Sequence, residues 1–152
     1  MIAGQTGVKV PESVLVVIHT RARDVLLLQR ADHPGFWQSV TGSLESGDAS
    51  LAATCAREVE EETGLQASAT QFDDWNLQHR YAIFPQWRHR YAPGVTHNTE
   101  HVFGLCLDRR FDPRLQLREH VAFRWLPWRE AADICFSWTN AAAIRELAHR
   151  AR

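Results

Sequence analysis

The chain has 152 residues, of which 45% are hydrophobic and 23% are charged, as in an ordinary globular domain. This composition excludes a disordered tail, a collagen and a low-complexity scaffold. The 17 basic and 18 acidic side chains give a formal net charge of -1, whereas a dedicated duplex-DNA binder is usually far more basic. We therefore expect one domain over residues 1–152 that does not take nucleic acid as a partner.

The three cysteines show no CxxC spacing, which indicates reduced thiols rather than a disulfide framework. No apolar run approaches the ~20 residues of a membrane-spanning helix. The first residues lack a basic segment followed by an apolar one, so no secretory signal is visible. We expect a cytoplasmic protein without membrane contact, and the sequence shows no evident protein partner.

The hydrophobic pattern predicts strands on both sides of one central helix. Residues 13–19 are a continuous β-branched run, which predicts a strand buried on both faces. Residues 25–30 read as its hairpin partner. The other predicted elements are strands near residues 36–41, 71–79, 83–91, 98–107 and 121–126 and a helix over residues 139–150. The order of strands, helix, strands and helix favours an α/β or α+β sandwich with a mixed sheet.

A Gly- and Ser-rich loop leads directly into the central helix. Asp48 or Ser50 is expected to cap this helix, because both side chains accept hydrogen bonds from free backbone N–H groups. The helix is expected to end at Thr63, since Gly64 suits the left-handed position that follows many helices. A turn at residues 92–94 is expected to join the strands near 83–91 and 98–107.

The central helix carries four glutamates near its end. On a helical wheel, Glu58, Glu61 and Glu62 share an arc of about 100°, while Glu60 points away from them. Like charges three and four residues apart weaken a helix unless something offsets their repulsion. Hard divalent cations such as Mg²⁺ take carboxylate oxygens and commonly bind substrate phosphates as well. A solvated acidic face is the plain alternative, but the acids lie beside an apolar stripe that favours a metal site.

The loop and helix from Gly42 to Leu65 strongly resemble the Nudix box, the signature of hydrolases that cleave a nucleoside diphosphate linked to another moiety. The fixed positions of its second half are Arg57, Glu58, Val59, Glu61, Glu62, Gly64 and Leu65. The first half departs from the pattern. Counting forward from Gly42 places Asp48 at the glutamate position, whereas counting back from Arg57 places Ala49 there.

The resemblance implies a Nudix-type α/β/α sandwich with a mixed central sheet. It also implies a pyrophosphohydrolase that uses Mg²⁺, with Mn²⁺ as an alternative. Within the box, it assigns Glu58 and Glu62 as metal ligands and Glu61 as a further ligand or a catalytic group. Arg57 would then orient the glutamates by ion pairing.

Three stretches outside the box are similar to a branch of the family that removes pyrophosphate from a pterin triphosphate in folate synthesis. They cover residues 36–43, residues 89–100, and residues 119–125 with residues 137–140 beyond. This similarity implies a small-molecule triphosphate substrate. It makes Glu119 a catalytic base and metal ligand, and it assigns substrate contacts to Lys9, Arg30, Thr41 and Ser137. The plain alternative for Glu119 is a surface glutamate before a strand, and the plain alternative for Arg30 is a solvated arginine at a strand end.

Other side chains near the predicted site remain ambiguous. Arg88 and Arg90 are expected on a strand, where they would face phosphate or line an exposed edge. Trp37 or Trp138 is expected to stack on a flat substrate ring. The remaining tryptophans, Trp87 among them, are more simply core or rim residues.

Two further functions remain open at this point. A broader nucleotide pyrophosphohydrolase would use the same chemistry with a different base. A non-catalytic module that binds nucleotide or RNA would explain the altered first half of the box. The complete carboxylate set of the second half argues against a module, because binding alone does not require it.

Overall fold

A mixed sheet of seven strands crosses the computed structural model, which describes residues 8–150. The strands are β1 (Glu12–Thr20), β2 (Asp24–Arg30), β3 (Trp37–Gln38), β4 (Val40–Ser43), β5 (Asp73–Ala82), β6 (His97–Leu107) and β7 (His120–Pro127). The helices are α1 (Leu51–Thr63), α2 (Trp128–Ile134) and α3 (Trp138–Arg145), with 3₁₀ turns at Ala69–Gln71, Pro85–Arg90 and Glu146–His149. The predicted domain over residues 1–152 also includes 1–7 and 151–152, which lie outside the described residues.

The strand order is β3-β2-β1-β6-β5, and two further strands join this path from the side. β1 and β6 run parallel, and the other strand pairs are antiparallel. The predicted hairpin of β1 and β2 is present, but the two strands separate after its turn. β4 then pairs with the first half of β1, while β3 pairs with the end of β2. β3 and β4 thus lie between the diverging ends of β1 and β2, and α1 packs against β1 and β4.

Each face of the sheet buries its own apolar cluster. Leu15 and Val17 of β1 pack on the side of α2 and α3. Val14 and Val16 pack on the side of α1, where they contact Val59 among others. Because successive strand residues point to opposite faces, a continuous apolar strand is stable only when both faces are covered. The predicted α/β/α sandwich with a mixed sheet is confirmed.

Residues 83–91 are not the strand that their pattern predicts. Pro85 begins a 3₁₀ turn that continues to Arg90, because proline cannot donate a ladder hydrogen bond and its fixed φ suits the start of a helix. β5 pairs directly with β6, so the segment around the predicted turn at 92–94 lies outside the sheet. The predicted last helix is also shorter, since it tightens into a 3₁₀ turn after Arg145.

No helix in the range 8–150 is long and apolar enough to cross a membrane. The cysteines at positions 55, 106 and 135 are all free.

Candidate active site

A cleft of about 820 Å³ lies where β1 and β2 diverge, and β3 and β4 contribute to its walls. Nine residues were assigned catalytic, metal-binding or substrate-binding roles from the sequence, and the walls of the cleft contain eight of them: Lys9, Arg30, Thr41, Glu58, Glu61, Glu62, Glu119 and Ser137. The ninth, Arg57, lies behind the acidic wall and contacts several of its carboxylates. Residues that are distant in sequence therefore meet in one place.

Helix α1 is fixed at both ends by local chemistry. Ser50 is its N-cap, and the Ser50 Oγ accepts a hydrogen bond from the Ala53 N–H at 3.0 Å. Gly64 follows the helix with φ of 77° and donates its N–H to the Glu60 carbonyl. Of the two predicted caps, Ser50 is therefore the one used. Asp48 has a different partner.

Arg57 connects the loop before α1 to the acidic side chains of the helix. Its Nε and Nη2 donate to the two carboxylate oxygens of Asp48 at 3.0 and 2.9 Å. Its Nη1 donates to Glu58 Oε1 at 2.7 Å and lies 3.4 Å from Glu61. Arg57 Nη2 also donates to the Ser43 carbonyl. The Arg57 guanidinium, together with other hydrogen bonds, lowers the pKa of Asp48 to about 2. Of the two positions that the altered first half of the box offers, Asp48 is thus the acidic one, and it contacts Arg57 through both carboxylate oxygens.

Glu58 and Glu62 are the buried carboxylates of α1, whereas Glu60 and Glu61 are exposed. Burial, reinforced by the charge of Glu58, holds the pKa of Glu62 well above its usual range. Burial also raises the pKa of Glu58, and the two carboxylates lie within hydrogen-bonding reach of each other. Gly42 makes this arrangement possible, because a Cβ at that position would collide with the Glu58 carboxyl group. Two adjacent buried carboxylates are therefore unfavourable unless a proton or a cation lies between them.

Glu119 lies on the exposed turn that precedes β7 and lines the same cleft. Its negative charge contributes to the raised pKa of Glu62, so the two carboxylates are electrostatic neighbours. Glu119 is held by its backbone, which accepts a hydrogen bond from Ala31 N–H at 2.8 Å. Its exposed side chain is thus available at the mouth of the acidic wall.

The donor set fits a hard divalent cation. Oε1 of Glu62 is buried and has no hydrogen-bond partner among the residues that the structure describes. Over the same residues, no three Asp, Glu, His or Cys side chains already surround a common point. The fit thus rests on the carboxylate chemistry of Glu58 and Glu62 and on the unpaired oxygen. A cation that displaces a shared proton would relieve the cost of their burial.

The opposite wall of the cleft is basic. Burial lowers the pKa of Lys9, and the positive charge of Arg90 lowers it further. Arg30 binds both carboxylate oxygens of Asp32 at 2.8 Å and donates to Gln38 Oε1 at 3.3 Å. Arg30 is therefore held in place by protein groups and is not the solvated strand-end residue of the plain alternative.

The two predicted hydroxyl contacts differ in their surroundings. Thr41 lies half-buried on β4 in the cleft wall. Ser137 is the N-cap of α3, and its Oγ accepts hydrogen bonds from the backbone and side-chain nitrogens of Asn140 at 3.3 and 2.8 Å. A substrate contact by Ser137 would therefore be made by a hydroxyl that already caps a helix.

Aromatic side chains form a part of the cleft that the sequence did not reveal. Phe84 and Trp87 stack with ring centroids 5.2 Å apart, and Phe136 meets both edge-on. The guanidinium of Arg30 lies 4.3 Å from the Trp87 ring centroid. Trp87 is thus a cleft residue, contrary to its simpler interpretation as core or rim. Trp138 also lines the cleft, with 61% of its surface exposed.

Trp37 belongs to the apolar cluster under α2 and α3, so it is not in place to stack on a substrate. Arg88 and Arg90, predicted on one face of a strand, lie on the 3₁₀ turn instead. Arg88 Nε donates to the Ile83 carbonyl, whereas Arg90 lines the cleft.

His120 and Gln38 are buried polar residues that sequence reasoning missed. Gln38 Nε2 lies 3.2 Å from His120 Nε2, and its Oε1 accepts from Arg30. Burial, reinforced by the charge of Arg30, lowers the pKa of His120 to about 4, so its imidazole is neutral at pH 7. His120 Nε2 is 3.8 Å from Glu62 Oε1. These contacts link the basic wall to the acidic one.

The chain is similar to known proteins in both sequence and structure. A family model described as the NUDIX domain matches residues 9–147. The chain is 44% identical over 142 residues to the dihydroneopterin triphosphate diphosphatase of Escherichia coli K12, covering 91% of this chain and 93% of that protein. It is 43% identical over 138 residues to the Haemophilus influenzae protein of the same name, covering 89% and 85%. The solved E. coli dihydroneopterin triphosphate pyrophosphohydrolase superposes with a TM-score of 0.84 at 43% identity, over 91% of this chain and 95% of that one.

Proposed function

The chain belongs to the Nudix family of hydrolases, and from that premise we propose that it hydrolyses 7,8-dihydroneopterin triphosphate to the monophosphate and pyrophosphate. The supporting observation is a single cleft with the buried carboxylates of Glu58 and Glu62 on one wall, an unpaired oxygen of Glu62 among them, and cationic side chains on the other wall. This polarity suits a substrate whose charge is concentrated in a chain of phosphates. The similarity to the E. coli and H. influenzae diphosphatases over most of the chain supports the pterin triphosphate as that substrate.

Nudix hydrolases use divalent cations, and we propose Mg²⁺ here, with Mn²⁺ as a substitute. Glu58, Glu62 and Glu119 would hold the ion. When bound, such an ion neutralises phosphate charge and lowers the pKa of a coordinated water. Arg57 keeps Glu58 in place through their 2.7 Å ion pair, and Asp48 keeps Arg57 in place.

The reaction is a displacement at phosphorus. An oxygen of water forms a bond to phosphorus, a bridging P–O bond breaks, and pyrophosphate leaves with the electron pair of that bond. Glu119 would take the proton of the water on a carboxylate oxygen, because it is an exposed base at the mouth of the acidic wall. Glu61 is an exposed carboxylate 3.4 Å from Arg57 Nη1, and we assign it a supporting catalytic role.

The remaining assigned residues would bind the substrate. Lys9 and Arg30 would contact phosphate oxygens, Lys9 as a point charge and Arg30 through its planar guanidinium. Thr41 and Ser137 would donate hydroxyl hydrogen bonds to the substrate. We also propose that the protein acts in the cytoplasm and does not require a nucleic-acid partner.

Product analysis tests this function. The protein is incubated with Mg²⁺ and 7,8-dihydroneopterin triphosphate, with dATP in parallel, and pyrophosphate is measured against orthophosphate. We expect rapid pyrophosphate release from the pterin, and a loss of roughly 10²-fold or more in Glu62→Gln. Glu60→Gln is the matched control, because it makes the same change on an exposed side chain of the same helix.

The possible results separate the open functions. A higher kcat/KM for dATP than for the pterin would favour the broader nucleotide pyrophosphohydrolase. Release from neither substrate would favour a binding module. Unchanged turnover in Glu62→Gln would overturn the metal assignment.

A further inference from the structure

A third buried carboxylate, Glu100 of β6, lies in the cleft wall away from α1. Only 2% of its surface is exposed, and its Oε1 has no hydrogen-bond partner within residues 8–150. His79 offers its closest ion pair there, but His79 Nδ1 is 3.9 Å from Oε1 and is likewise without a hydrogen bond. A buried carboxylate oxygen without a hydrogen-bond donor is unfavourable, so this position calls for a donor that the described residues do not supply.

The neighbours of Glu100 leave a second acceptor unpaired beside it. Asn98 lies two residues earlier on the same face of β6, and its Nδ2 donates to Ser13 Oγ at 2.7 Å and to Tyr81 Oη at 3.0 Å. The Asn98 Oδ1 is buried and has no partner in the described part of the chain. This part of the cleft therefore contains two buried acceptors and needs donors from a ligand.

Strand register places Glu100 within reach of a substrate bound at α1. Glu100 pairs with Ser13 of β1, and Ser13 pairs on its other side with Ser43 of β4. Because neighbouring strands lie about 4.8 Å apart, the backbones at Ser43 and Glu100 are roughly 10 Å apart. Ser43 is held by Arg57 through its carbonyl, next to the acidic wall. One molecule with phosphates at one end and a ring at the other spans this distance.

We propose that Glu100 determines substrate specificity by accepting two hydrogen bonds from the 2-amino-4-oxopyrimidine edge of the pterin ring. That edge carries a ring N–H and an exocyclic amine side by side, which match the two oxygens of a carboxylate. Guanine carries the same pair of donors, whereas adenine does not. This inference rests on the proposed function, since the pterin triphosphate is the ligand that supplies the ring.

The test compares Glu100→Gln with the wild type on three ligands. The kcat/KM is measured for 7,8-dihydroneopterin triphosphate, and dGTP and dATP are titrated as competitors. We expect Glu100→Gln to lower kcat/KM for the pterin by at least about tenfold and to weaken dGTP similarly, because a charged double acceptor is lost. The inhibition constant of dATP should change by less than about twofold. Glu130→Gln, an exposed change on α2 outside the cleft, should behave as the wild type.

A second measurement separates specificity from a structural role. Because Glu100 is buried with an unpaired oxygen, Glu100→Gln should melt at the same temperature as the ligand-free wild type or higher. A lower melting temperature, or equal losses with all three ligands, would show a structural role and overturn the inference. If the wild type cleaves the pterin and Glu100→Gln cleaves it equally well, the specificity role alone fails. If the wild type releases no pyrophosphate from the pterin, the proposed function fails and this inference fails with it.

Discussion

The Asp48–Arg57 ion pair gives the sharpest stability prediction, and the perturbation is Asp48→Asn. Asp48 binds Arg57 through both carboxylate oxygens and also accepts from Thr54 Oγ1 at 2.8 Å. Only 10% of the Asp48 side chain and 21% of the Arg57 side chain are exposed. Solvent therefore screens this pair less than an ordinary surface ion pair.

The expected magnitude follows from the pKa of Asp48, which falls from 3.8 to about 2 on folding. This difference in pKa corresponds to about 2.5 kcal/mol at ~1.4 kcal/mol per pKa unit. Because the folded pKa lies below the unfolded one, this contribution is complete above the unfolded pKa and is lost as the pH falls through the folded one. About half should remain at pH 3. At neutral pH the melting temperature of Asp48→Asn should fall by about 5–10 °C, at about 2–4 °C per kcal/mol for a chain of this length.

Denaturant unfolding of both proteins at pH 7 and at pH 3 measures this contribution. Asp108→Asn is the control, because Asp108 pairs with Arg21 at 3.1 Å but the two side chains are 83% and 65% exposed. The control should be indistinguishable from the wild type. Equal stability of Asp48→Asn and the wild type at pH 7, or a stability gap that is the same at both pH values, would refute the reasoning.

Three further predictions concern the acidic wall. Gly42→Ala should lower pyrophosphate release by at least about tenfold, because its Cβ displaces Glu58, whereas Gly47→Ala, with open space around it, should not. Since the pKa of Glu62 is raised on folding, the metal-free wild type should lose stability as the pH rises above the usual carboxyl range. Glu62→Gln should lack both this loss of stability at higher pH and the rise in melting temperature that Mg²⁺ causes in the wild type. Melting curves measured in chelator and in Mg²⁺ test this, and a Glu62→Gln protein that kept either behaviour would contradict the prediction. Glu119→Gln should lower kcat by about 10²–10⁴-fold with an unchanged melting temperature, and normal turnover would remove Glu119 as the base.

Local patterns predicted the elements that local chemistry determines. The apolar run of residues 13–19 became β1, and Gly64 marked the end of α1. The helical wheel separated Glu60 from the buried pair, because helix geometry alone fixes which side chains share a face. It did not distinguish Glu61, which is exposed at the edge of the acidic arc.

Long-range pairing accounts for the main errors. Residues 83–91 alternate like a strand, but β6 is already paired with β5, and Pro85 favours a 3₁₀ turn. That turn carries Trp87 into the cleft, where single-sequence reasoning had no basis to place it.

The buried polar residues of the cleft were missed for the same reason. Glu100 was visible as one polar residue of the strand near 98–107 and as the end of the similar stretch 89–100, but neither gave it a role. Glu100 shares one face of β6 with Asn98 and Val102, because every second residue of a strand points the same way. This spacing is the signal in the sequence that the polar residues extend an apolar face. That these side chains would be buried depends on β5 and α3, which lie far away in sequence.

The acidic side chains in the cleft and behind its acidic wall differ in how far the fold satisfies them, and the difference identifies what the cleft must receive. Asp48 is nearly buried but fully satisfied by Arg57, Thr54 and a backbone N–H, so it stabilises the fold. Glu62 and Glu100 are more deeply buried, and each keeps an oxygen without a partner. A fold that satisfies one carboxylate so completely has the means to satisfy the others. Their unpaired oxygens therefore point to groups from outside the chain: a cation beside Glu62 and a hydrogen-bond donor beside Glu100.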